Sequence, residues 1–102
     1  MDKLAALNEI LQLDPTNAFA RYGLAMEHLA QGNTEAALAA FAACIEHNPD
    51  YVPAYQMSAQ TLAKLGHIPE ALDRIEAGLA AATCTGNPHA RAEMEALRAE
   101  IS

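Results

Sequence analysis

Two cysteines, Cys44 and Cys84, and four histidines, His28, His47, His67 and His89, are the side chains of this chain best equipped for covalent or metal chemistry. A nucleophilic thiolate needs a base or cation placed beside it, and a zinc site needs Cys and His at short, paired intervals. Neither pattern occurs. The cysteines lie 40 residues apart with no C-x-x-C, and the histidines fall one per helix or connection. His28 reads as a packing residue and His67 as a helix cap. Cys84 falls in a loop with no His or acid beside it in sequence. The chain also lacks a nucleophile elbow, a glycine-rich phosphate loop and a paired-carboxylate motif. These residues predict neither an enzyme nor a metal or cofactor site.

Composition narrows the partners. The chain has 102 residues, enough for one domain with a modest core. Six Lys and Arg stand against thirteen Asp and Glu, a net charge of −7. Such an acidic chain repels phosphate backbones and anionic bilayers, so neither nucleic acid nor a membrane is expected as partner. The first residues, Met1 to Glu9, carry acids among their apolar positions, unlike a secretory leader, and no stretch is long enough to span a bilayer. Cytoplasmic residence with reduced thiols is the expectation.

The elements that position these side chains are helices. Leu4, Leu7, Ile10 and Leu11 recur at helical spacing, predicting a helix over 2–13. Asp14-Pro15-Thr16-Asn17 ends it and caps a second helix, 18–31, which Gly32 stops. Asn33 caps a third, running to about His47, with Glu35 at the positive end of its dipole. Asn48-Pro49-Asp50 repeats the turn before a fourth helix over 52–65 and Gly66. A fifth begins near Ile68, with Pro69 in its first turn, and ends about Thr83. Gly86-Asn87-Pro88 gives stop, cap and start of a sixth. With 52% hydrophobic residues but only 5% aromatic, the helices must pack through alanine.

Three ladders share a spacing of 34: Leu4, Leu38 and Leu72; Leu7, Phe41 and Ile75; Leu11, Ile45 and Leu79. Pro15 and Pro49, Gly32 and Gly66, Ala25 and Ala59, and Ala37 and Ala71 keep it too. Such a period marks stacked supersecondary units. Residues 18–51 and 52–85 resemble two tetratricopeptide repeats. Ala25 and Ala59 fill the small site of the first helix, and Ala37 and Ala71 that of the second. Phe41 and Ile75 follow as the bulky residues, and Cys44 and Gly78 take a further small site, which makes Cys44 inert. Small residues there let antiparallel helices nest closely. Where the family often has Trp, this chain has Arg21 and Tyr55; tyrosine is a fair substitute and arginine is not. Thr83 replaces the second closing proline. Residues 2–15 match a second helix alone, with Lys3 facing water, and so form an N-terminal half-repeat. Residues 87–102, with Ala90, Met94, Leu97 and Ile101 on one stripe, form a capping helix. The resemblance implies an all-α solenoid of antiparallel helix pairs, about six helices, in one domain over 1–102.

The resemblance also implies a peptide-binding groove made by the first helices. Carried over to this chain, its residues are Phe19, Tyr22, Met26, Pro53, Gln56, Gln60 and Lys64, with Arg91 from the sixth helix. Phe19, Tyr22 and Met26 form one stripe (i, i+3, i+7) that equally suits packing against a neighbour. The chaperone-carboxylate clamp of some members fits poorly. Tyr22, Met26 and Met57 stand where its first Lys and both Asn belong, Asn87 replaces the other Lys, and Arg91 alone matches. The expected function is an adaptor or scaffold that binds a peptide segment of a partner protein in the groove. Its ligand would have an apolar anchor at one end and an acidic group at the other. The alternative is a homodimer formed through the half-repeat, and a piece of a larger protein is a third reading.

Overall fold

The computed structural model describes residues 2–102, leaving Met1 outside. The described residues form six helices: α1 (Lys3–Leu13), α2 (Ala18–Ala30), α3 (Thr34–His47), α4 (Val52–Lys64), α5 (Ile68–Cys84) and α6 (Pro88–Ile101). They divide into two units, one ending at Asn48 and one covering Pro49–Ser102.

The connections repeat two designs. After α2, α4 and α5, glycines 32, 66 and 86 take left-handed φ values of 80°, 81° and 66°. At each, two backbone N–H groups return to the last turn, as in Gly32 N to Leu29 O at 3.0 Å and Asn33 N to His28 O at 2.8 Å. These doubly bonded ends satisfy carbonyls that the helix leaves unpaired. After α1 and α3, Asp14 and Asn48 instead extend (φ −142° and −140°) before Pro15 and Pro49, as a residue preceding proline must.

The N-termini are less uniform than the sequence implies. Asn17 accepts from Ala20 N at 2.8 Å and Asn87 from Ala90 N at 3.1 Å. Asp2 caps α1 through Ala5 N at 2.8 Å, a cap that the sequence reading had placed inside the helix. Asn33 and His67 stand at N-cap positions but make no side-chain cap bond. Glu35 and Glu70 lie in the first turns of those two helices and interact favourably with their N-terminal dipoles.

In the first unit, α1 packs on α2 and α2 on α3. Ala20, Ala25, Ala37, Phe41 and Cys44 are fully buried. Gly23 faces α1: a Cβ there would lie 3.1 Å from Leu7 Cδ2. No residue of α1 is fully buried, and Lys3 is exposed as expected. Arg21 proves to be no misfit. Its Nε donates to Pro15 O at 2.9 Å, and in the second unit the Tyr55 hydroxyl donates to Pro49 O at 2.7 Å. Two different side chains, one period apart, tie their helix to the preceding proline turn.

In the second unit α5 packs on both α4 and α6, and α4 touches α6. Ala59, Ala71, Ile75, Ala82 and Met94 are fully buried. The closest approach is at Gly78, where a Cβ would lie 2.6 Å from Met94 Sδ and 2.8 Å from Tyr55 Cβ. The period breaks after α5. N-cap residues are 34 apart from Asn17 to Tyr51 but 36 apart from Tyr51 to Asn87. Without a closing proline, α5 reaches 17 residues against 14 in α3, and the connection after it is shorter. Cys84 is therefore the last residue of a helix rather than part of a loop.

Candidate functional site

The two-residue shift decides which residues of α6 share a surface with α4. Counting by 34 from the first helices sets Ala90 and Met94 level with Gln56 and Gln60, yet Ala90 and Met94 are buried. Counting by 36 sets Ala96 and Glu100 level with Gln60 and Lys64, and all four line one surface. An open depression of about 530 Å³ lies between the helices, with Gln56, Gln60, Ala63 and Lys64 on the α4 side. Glu93, Ala96, Leu97, Glu100 and Ile101 line the α6 side.

Its lining combines apolar side chains (Ala63, Ala96, Leu97, Ile101) with amide and charged ones, the composition of a small recognition surface. One end is tied shut, because the Gln56 amide donates across it to Glu93 Oε2. His89 Nε2 approaches the other oxygen of the same carboxylate. Gln60, Lys64 and Glu100 line the part of the depression beyond that bond.

The structure thus brings together three of the eight residues expected to line a groove: Gln56, Gln60 and Lys64. Pro53 is exposed and lines a different depression, formed with Asp50, Tyr51 and the Thr85–Pro88 connection. Arg91 lies on the opposite flank of α6, in a depression with Glu76, Leu79, Cys84 and Arg98. There it pairs with Glu95 at 3.3 Å. The 34-residue count misplaced it. Arg91 stands level with Tyr55, on the side of its helix that turns toward α5. The same shift hid Glu93, Ala96 and Glu100, and the signal that exposes them is Asn87-Pro88 taken as cap and start.

The remaining candidates belong to α2 in the first unit. Phe19 is exposed, at 73% of its surface. Tyr22 is half-buried, its ring 5.9 Å from that of buried Phe41 and tilted by 56°. Tyr22 therefore contributes to the α2–α3 contact, the packing role that its stripe equally allowed. Met26 is half-buried.

The α5–α6 flank is electrostatically satisfied. Arg98 Nη1 donates to Glu76 Oε1 at 2.8 Å, and this hydrogen bond raises the guanidinium pKa further. Cys44 Sγ–H points at Ala18 O, 3.6 Å away, and burial pushes its thiol pKa up, partly countered by Arg21. A thiol held neutral is a poor nucleophile. Cys84 is exposed and neither cysteine is in a disulfide. Among the described residues no group of His, Cys, Asp or Glu could hold a metal ion, and no helix is long and apolar enough to cross a membrane. His28 is half-buried, and its Nδ1 lacks a hydrogen-bond partner among the described residues.

Comparison with known proteins gives the same architecture. The tetratricopeptide repeat profile matches residues 28–101. The crystal structure of a tetratricopeptide repeat domain protein from Salinibacter ruber is 30% identical, with a TM-score of 0.77 over 83% of this chain and 94% of that one. The solution structure of a tetratricopeptide repeat domain protein from the same organism is 31% identical, with a TM-score of 0.82 over 87% and 90%. Among curated proteins no match is found. The period, the small-residue contacts and these likenesses agree: this all-α chain belongs to the tetratricopeptide repeat family.

Proposed function

We propose that the chain is a cytoplasmic adaptor or scaffold that binds a peptide segment of a partner protein on the first helices of its repeats. The family generally mediates protein–protein interaction. One observation carries the reading further: the α4–α6 depression, lined by apolar side chains together with amide and charged ones. An extended peptide seats a side chain on such apolar residues and bonds its backbone to the amides. Gln60 is half-buried, so part of its rotamer entropy is already lost before binding.

Selection of a random peptide library on the purified chain tests this. Enriched peptides should lose binding to Gln60→Arg, which fills the part beyond the Gln56–Glu93 bond, and keep it with Thr83→Arg on an exposed helical site outside the depression. Peptides indifferent to Gln60→Arg would contradict the proposal.

A second reading, self-association through α1, has its own support. Leu13 is 91% exposed and Ile10 40%, both on a helix with no fully buried residue, and large exposed apolar side chains often mark contact sites. Light scattering distinguishes the two. A concentration-independent mass of 10.8 kDa would remove self-association, and a stable dimer lost in Leu13→Ser would support it.

A further inference from the structure

We infer that the occupant of the α4–α6 depression is a basic–apolar peptide segment: an apolar residue seated on Leu97 and Ile101, flanked by Lys or Arg. This rests on the peptide-binding reading above and reverses the acidic ligand that the sequence suggests.

The reversal follows from the register of α6. An acidic ligand requires Lys64 and Arg91 at one end of the surface, but Arg91 lies on the other flank and is paired with Glu95. Two carboxylates, Glu93 and Glu100, take its place in the lining, against the single ammonium of Lys64. They are differently prepared. Both oxygens of Glu93 already have neighbours, the Gln56 amide and His89. The Glu100 carboxylate has neither a hydrogen bond nor an ion pair among the described residues, although Lys64 lines the same depression. A carboxylate at the edge of an apolar surface gains most from a cation that arrives with its own apolar neighbour, since the ligand then dries the contact. The whole chain carries −7, so its long-range field draws a cationic segment in and turns an anionic one away.

The probes are three capped, fluorescently labelled peptides with Gly-Ser flanks and central Lys-Leu-Lys, Glu-Leu-Glu or Lys-Ser-Lys. Fluorescence anisotropy at low salt should show Lys-Leu-Lys binding about tenfold or more tightly than either other peptide, the apolar and the charged elements each being required. Glu100→Gln should weaken it severalfold and flatten its salt dependence, while Gln60→Arg abolishes it. Circular dichroism of each variant confirms folding. Tighter binding of Glu-Leu-Glu, lost in Lys64→Ala, would overturn the basic class and leave the depression as the site. Equal binding of Lys-Leu-Lys and Lys-Ser-Lys, untouched by Gln60→Arg, would overturn the site as well. No binding by any of the three would overturn the basic–apolar assignment.

Discussion

Replacing Gly78 by alanine sets two effects of opposite sign against each other. A helix interior favours alanine over glycine by about 0.5–1 kcal/mol. Against that, the added Cβ would lie 2.6 Å from Met94 Sδ and 2.8 Å from Tyr55 Cβ. The thioether can swing aside, at some loss of packing for a fully buried Met94. Tyr55 Cβ cannot, because it is fixed to the α4 backbone and its ring is anchored by the hydroxyl bond to Pro49 O. Overpacking of this kind costs about 1–3 kcal/mol, so Gly78→Ala is destabilising by about 0.5–2 kcal/mol net. At about 4–8 °C per kcal/mol for a domain of this size, that lowers Tm by roughly 2–16 °C. Gly23 is the internal control. The nearest atoms to its added Cβ would be Leu7 Cδ2, Cδ1 and Cγ, at 3.1, 3.4 and 3.8 Å, on a half-buried and flexible side chain. There the propensity gain prevails, and Gly23→Ala should raise Tm by a few degrees, about 0.5 kcal/mol. Thermal unfolding followed by circular dichroism reads both. If both changes moved Tm in the same direction by similar amounts, the close approach of α4, α5 and α6 at Gly78 would be refuted.

Capping makes a second contrast: Asn17→Ala and Asn87→Ala should each cost about 1 kcal/mol, and Asn33→Ala much less, because its side chain caps nothing. Denaturant midpoints at constant slope measure this. Ala37→Leu and Ala71→Leu, at fully buried positions, should each cost about 1–3 kcal/mol, whereas Lys3→Leu, at the exposed equivalent in α1, should be nearly neutral. Equal loss of Tm in all three would contradict the half-repeat register. Native labelling with a thiol reagent should modify exposed Cys84 quickly and Cys44 only on unfolding. The elevated Cys44 pKa should keep it unreactive at neutral pH, and rapid native modification would contradict its burial.

The fold was legible because its determinants are local and repeated. Gly32, Gly66 and Gly86 mark helix ends by a backbone geometry that other residues rarely adopt, and Pro15 and Pro49 mark the other two. Ala25, Ala37, Ala59 and Ala71 announce where helices must touch. The role of Arg21 was not legible, since residue type suggests misfit and only geometry reveals its bond to Pro15 O. The α6 surface was hidden for a different reason. A period extrapolated past a lost proline carries an error of two residues, and on a helix two residues is more than half a turn. That error moves Arg91 to the other flank and conceals Glu93 and Glu100. Tyr22 left two readings open in the sequence, because an aromatic stripe at helical spacing looks the same whether it receives a ligand or packs on a neighbour; the structure sets its ring against Phe41.

Amide chemical-shift mapping locates a bound peptide residue by residue, and so reads out whether the α4–α6 depression is where it binds. A peptide selected from the random library is titrated into isotope-labelled protein. The largest shifts are expected at Gln60, Lys64, Leu97, Glu100 and Ile101, with little change at Arg91, Glu95 and Arg98 on the opposite flank of α6. Saturable binding with shifts confined to that flank, or to Ile10 and Leu13 of α1, would contradict the α4–α6 site.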